Sequence, residues 1–85
     1  MGQIAQQDNL YFEGTTLGTF TEDQKKELIK KFKAGTILDV VQRTAAGFAK
    51  CIAASYADVS TTRTYTFVFG GSTLATVTAT EEIEA

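Results

Sequence analysis

The residues of this 85-residue chain with the widest chemical repertoire are one thiol, Cys51, the lysines Lys25, Lys26, Lys30, Lys31 and Lys33, and the late carboxylates Glu81, Glu82 and Glu84. A thiol becomes a nucleophile where positive charge lowers its pKa. Lys50 adjoins Cys51 in sequence, but the thiol also sits beside an apolar stripe, which favours packing in a core or an interface. The lysines could bind a polyanion; because Glu22, Asp23 and Glu27 are interspersed among them, they read instead as the solvated face of an amphipathic helix. The carboxylates flank Ile83 and would hold a divalent cation only if the tail folded back onto other oxygen ligands. A solvated tail, or one that pairs with lysines of a neighbouring subunit, is the simpler expectation. Gly70 and Gly71 precede no helix, so they serve a turn and not a phosphate.

Composition removes whole classes of chemistry. There is no histidine, and therefore no Ser-His-Asp triad, no Cys-His pair, no histidine-ligated zinc and no histidine general base. We expect no catalytic residues, no metal ligands and no cofactor. The net charge of −2 supplies no field to attract nucleic acid. No apolar run approaches the roughly 18 residues that span a bilayer, and "MGQIAQQDN" lacks the pattern of a signal peptide. The expectation is a protein made in the cytoplasm, or part of a particle assembled there, with no membrane partner. A chain this short buries only about 60 to 65% of its unfolded surface. With a single cysteine it has no internal disulfide to compensate, so itself or other protein subunits are the expected partners.

The elements that would carry these residues fall into three regions. Residues 1–20 read as an extended arm with one possible short strand around "NLYF". Residues 21–85 read as a single small α+β domain. In it, Thr21 and Gln24 have capping-box spacing, Lys30, Lys31 and Lys33 lie toward the negative end of the helix dipole, and Gly35 is placed to end the helix. Thr36 can cap a second helix reaching about Ala57, since Ile37, Val41, Ala45, Phe48, Ile52 and Tyr56 recur at spacings of three and four. The stretch "TTRTYTFVFGGSTLATVTAT" then reads as a C-terminal β-hairpin turning at Gly70 and Gly71.

This α+β layout of two consecutive helices and a hairpin predicts a core of Ile37, Val41, Phe48, Ile52, Tyr56, Phe67 and Leu74. It predicts an interface of Val68, Ala75 and Val77 on the hairpin and Ala46, Ala49 and Ala53 on the helix. On this layout Val77→Lys dissociates an assembly, and Phe48→Ala unfolds the chain.

Two stretches resemble known sequences. "DNLYFEG" at residues 8–14 resembles the potyviral protease site ENLYFQG, which is placed behind purification tags; it departs at Asp8 and at Glu13, where a carboxylate replaces the glutamine such proteases select. As a native segment, Leu10 and Phe12 alternate with Tyr11 and Glu13 as in a short edge strand. Further on, "GTFTEDQKKELIKKFKAG", Thr44, Ile52, "SYADVS" and "TTRTY" resemble the first half of an allophycocyanin-type phycobiliprotein subunit. Phe32 and Gly35 match its Phe-x-x-Gly step, Tyr56 and Asp58 its middle segment, and Thr61, Thr62, Arg63 and Tyr65 its last. The family's bilin-bearing cysteine is replaced by Val68, so the resemblance implies a pigment-free accessory protein of a phycobilisome-like antenna.

The residues themselves favour a non-enzymatic structural subunit that self-associates or packs into a virion, tail or filament. A small DNA-binding regulator is the remaining alternative, resting on two helices around Gly35; the second carries only Arg43 and Lys50 as basic groups.

Overall fold

A computed structural model describes residues 10–71 and 73–84. The first helix forms as its sequence dictates. Helix α1 spans Glu22–Ala34. Thr21 Oγ1 accepts from the Gln24 N–H at 3.1 Å, and Gln24 Oε1 accepts from the Thr21 N–H at 3.0 Å, which closes the capping box. Gly35 stops the helix at φ 80°, a left-handed conformation that a side chain would oppose. Leu28 and Ile29 are buried and Phe32 packs against the same core.

No second long helix follows. One turn of 3-10 helix, Ile37–Asp39, leads into β2 (Val41–Thr44), β3 (Gly47–Val59), β4 (Thr62–Gly70) and β5 (Leu74–Glu82), while β1 (Tyr11–Glu13) precedes α1. The strands lie in the order β1-β2-β3-β4-β5. The β1–β2 pair is parallel, with α1 as its crossover, and the other neighbours are antiparallel. The expected pair of helices with a C-terminal hairpin is thus corrected to a curled five-stranded mixed sheet with one helix.

The segment read as helix 36–57 is strand for a physical reason. Its alanines are strong helix formers, but intrinsic propensity is a weak determinant that tertiary pairing overrides. Gly47 adopts φ 133° at the β2–β3 turn, which interrupts any helix there. Along β3 the inward residues alternate as Ala49 and Cys51. Cys51 then pairs with Phe69 and Ala53 with Val68, so Ile52 is an extra residue in a bulge. The bulge reverses the phase, and Ala54 and Tyr56 become the inward positions opposite Phe67 and Tyr65.

The β4–β5 register differs from the expected one in the same way. A turn at Gly70 and Gly71 alone would pair Phe67 with Leu74. The strands instead pair Gly70 with Leu74 and Phe67 with Val77. A shift by an odd number of residues turns every side chain of β5 to the other face.

The core lies between α1 and one face of the sheet. Tyr65, Phe67 and Phe69 are fully buried along β4, and Cys51, Val77 and Ala79 flank them. Phe20 packs against both Phe12 of β1 and Phe69 of β4, with ring centroids 6.0 and 5.2 Å apart, as the curl of the sheet requires. Of the residues expected in the core, Ile37 and Phe67 are buried and Val41 is half-buried. Phe48, Ile52 and Leu74 are corrected: they are 66%, 55% and 72% exposed on the face that α1 leaves uncovered. Tyr56 is corrected too, lying half-exposed at the rim of the covered face beside Phe32.

Two predictions follow from this packing. Phe67→Ala should cost about 3–5 kcal/mol, whereas Phe48→Ala, the substitution first expected to unfold the chain, should stay within about 0.5 kcal/mol; thermal melts of the two variants compare one deletion on opposite faces. Ser60, the one described non-glycine residue with positive φ, sits at φ 58° in the β3–β4 turn. Ser60→Asn, a residue that tolerates this conformation, should raise stability by up to about 1 kcal/mol in denaturant titrations.

Candidate functional site

Three clusters of polar or unusual groups are brought together. The first closes the sheet at the C-terminal end of α1. The two-residue turn between β3 and β4 sets Asp58 opposite Arg63, and Arg63 donates to both carboxylate oxygens, Nε at 2.6 Å and a terminal nitrogen at 3.0 Å. The guanidinium carbon also lies 4.1 Å from the centre of the Tyr56 ring. Beside it, Glu81 accepts from Lys33 Nζ at 2.8 Å and from the Tyr65 hydroxyl at 2.9 Å. Tyr65 is fully buried, so its hydroxyl needs that partner. The Lys33 hydrogen bond, then Tyr65, holds the Glu81 carboxyl below its usual range, and Arg63 does the same for Asp58. Each carboxylate of the cluster has a cation already bound, which makes it a clasp between α1 and the sheet.

This clasp was missed from sequence because Asp58 and Arg63 face each other only once residues 59–62 are recognised as a hairpin turn.

The second cluster surrounds Gln42, which is completely buried on β2. Its Oε1 accepts from the Gly18 N–H at 2.6 Å, and its Nε2 donates to the carbonyls of Thr16 and Thr19 at 3.2 and 2.8 Å. One amide thereby satisfies three backbone groups of the loop that carries the chain from β1 to α1. The third is Cys51, buried with its thiol 3.4 Å from the Ala53 carbonyl. Burial pushes the thiol's pKa up, so the packing expected of it, and not a nucleophile, fits its surroundings.

The remaining feature is the uncovered face. Pairing places Phe48, Lys50, Ala53 and Val68 there with Arg43 and Val41, and Ile52 and Leu74 crowd over Gly70. A shallow cleft of about 260 Å³ at its edge is lined by Tyr11, Val41, Arg43 and Phe48. The Arg43 guanidinium lies 4.7 Å from the Tyr11 ring centre and bonds Glu13 through Nε at 2.9 Å. Further along, the face is threonine: Thr64 opposite Thr80, and Thr66 opposite Thr78.

Of the residues expected to form an interface, Val68 and Ala53 lie on this face. Ala46 lies in the β2–β3 turn, and Ala75 is half-buried beside Gly18. Ala49 and Val77 are corrected: both are buried beneath the helix layer, so Val77→Lys would attack the core.

Comparison with protein-family models, with curated proteins and with solved structures returned no match. The residues that resemble the phycobiliprotein segments fall on β3, its turn and β4: Tyr56 and Asp58, then Thr61, Thr62, Arg63 and Tyr65. Among the described residues no helix is long and apolar enough to cross a membrane, and no group of three or more His, Cys, Asp or Glu side chains is placed to hold a metal ion.

The clasp generates a pH dependence. Its two carboxyls have depressed folded-state pKa values, so their contribution is complete above the unfolded carboxylate range, near 4, and is lost as pH falls through the folded values. The melting temperature should therefore hold steady from pH 7 to about 4 and fall below it, and Asp58→Asn combined with Glu81→Gln should flatten that fall in calorimetric scans.

Proposed function

We propose that this protein is a non-enzymatic assembly subunit, of the kind that builds particles or filaments, and that it packs the uncovered face of its sheet against a second copy. The observation that carries the reading is the concentration of large apolar side chains, Phe48, Ile52 and Leu74, at one end of a face with no covering layer among the described residues. Contiguous apolar surface of this kind marks interaction sites in soluble proteins. The charges at that end, Lys50 and Arg43, are few, and Arg43 is already paired with Glu13. The small and flat remainder, Ala53, Ser55 and Ala57 beside the threonines, lets another sheet approach closely.

The DNA-binding alternative loses its structural basis, because the chain after Gly35 forms strands and supplies no second helix. The antenna alternative still rests on resemblance alone, and Val68 occupies the position of the pigment cysteine.

Light scattering coupled to size exclusion over a concentration series tests the reading. The wild-type chain should associate as concentration rises. Phe48→Glu combined with Ile52→Lys should be monomeric with an unchanged circular dichroism spectrum, since both positions are exposed in the isolated chain. A wild-type chain that stays monomeric at every concentration would remove this reading.

A further inference from the structure

The sheet has two edges, and they differ. β1 is three residues long. β5 is nine residues long, and from Leu74 to Thr80 it carries no proline, glycine, lysine or other charge. Natural edge strands are usually blunted by such devices. Alternate residues of an edge strand aim their N–H and C=O groups away from the sheet, and among the described residues no backbone or side-chain partner outside β4 is hydrogen-bonded to the backbone of residues 74–82. Among the described residues the outer edge of β5 is therefore open.

What stands across from that edge is α1. Two open hollows lie on the α1 side of β5. The first, of about 280 Å³, lies between the loop residues Gly18, Thr19 and Phe20, Lys25 of α1, and Thr76, Val77 and Thr78. The second, of about 410 Å³, brings Lys26, Lys30 and Lys33 beside Thr80 and Glu81, with Ile29 as its apolar lining. Lys33 is held by Glu81, which leaves Lys25, Lys26 and Lys30 of α1 along this side of β5. Glu22 and Glu27 bridge Lys25 and Lys30 at 3.9 and 3.4 Å, surface contacts that a stronger partner can replace.

We propose that this side of β5 is a docking site for an extended acidic segment of a partner protein, which adds to β5 as a sixth strand while its carboxylates meet the lysines of α1. Main-chain hydrogen bonds supply the affinity in such strand addition and the flanking side chains supply the selectivity. A second copy of this chain is the poorer occupant. Edge-to-edge pairing of two β5 strands would bring two α1 helices together with the same lysines on each, and like charges set against one another oppose association. The proposal does not depend on the uncovered face, which lies on the other side of the sheet from α1.

The test is an amide NMR titration of the full isotope-labelled chain with a blocked octapeptide of alternating glutamate and valine. Saturable shifts should be confined to the amides of β5 and of the lysine-bearing side of α1. The matching lysine–valine peptide should give none. Lys26→Glu with Lys30→Glu should weaken binding at least about tenfold, while the Phe48→Glu, Ile52→Lys variant should bind like wild type, which separates this site from the assembly face.

Two further peptides, N-methylated on one or the other alternate set of residues, ask whether a strand is formed. Methylation of one set should abolish binding and of the other leave it intact. Equal binding by both methylated peptides would reduce the site to a polyanion contact. An absence of binding would overturn the proposal.

Discussion

The contact between Leu28, Ile29 and Phe32 of α1 and the column Tyr65, Phe67 and Phe69 of β4 organises the rest of this molecule. Phe32 alone meets the rings of Tyr56, Tyr65 and Phe67, with centroids 6.0, 5.4 and 6.3 Å apart. Among the described residues a thirteen-residue helix is the one α-helix available to cover the sheet, and it covers a single face. The sheet curls toward it, Phe20 fills the space between β1 and β4, and no described residue forms a layer on the opposite face. Burial in a chain of this size yields a thin margin, so polar ties at the periphery gain weight. Gln42 fixes the loop that delivers α1, and the Asp58, Arg63, Glu81 and Lys33 clasp fixes the other end of the helix.

That arrangement divides the surface by chemistry. The uncovered face is apolar at one end and threonine-rich along β4 and β5. The α1 side of β5 combines cationic side chains with unpaired backbone. The first suits a broad, flat partner and the second a narrow, extended one, because a strand edge offers a row of donors and acceptors rather than an area. An assembly subunit with both could join copies through one surface and recruit an acidic tail through the other. The β3 bulge bears on the division. Ile52, as the extra residue, stays on the uncovered face, and the reversal of phase after it sends Tyr56 inward to meet Phe32 and Arg63.

Local signals were legible in the sequence wherever the physics is local. The capping box at Thr21 and Gln24, the length of α1 and its stop at Gly35 depend on hydrogen bonds within one turn and on the conformational freedom of one glycine. The short strand in "LYFE" and the strand character of β4 and β5 were legible from alternation and threonine content, and composition alone removed histidine chemistry. The segment 36–57 was not legible, since its apolar residues recur at spacings that fit a helix stripe, whereas in the strand a bulge leaves Phe48 and Ile52 on one face and turns Tyr56 to the other. No local rule distinguishes the two when most of the small residues are alanine.

Only the tertiary structure decided which face of each strand is buried. A turn longer than Gly70 and Gly71 alone shifts β5 by an odd number of residues, and one extra residue at Ile52 changes the phase of β3. Each exchanges core for surface in the strand residues that follow it because side chains alternate with a period of two. Phe48 and Leu74 therefore lie outside and Val77 inside, as pairing with β4 and cover by α1 demand. The sequence by itself determined the helix, the strand-forming tendency of its C-terminal half and the absence of histidine. The register, and with it both candidate surfaces, came from the pairing of strands that only the folded chain brings together.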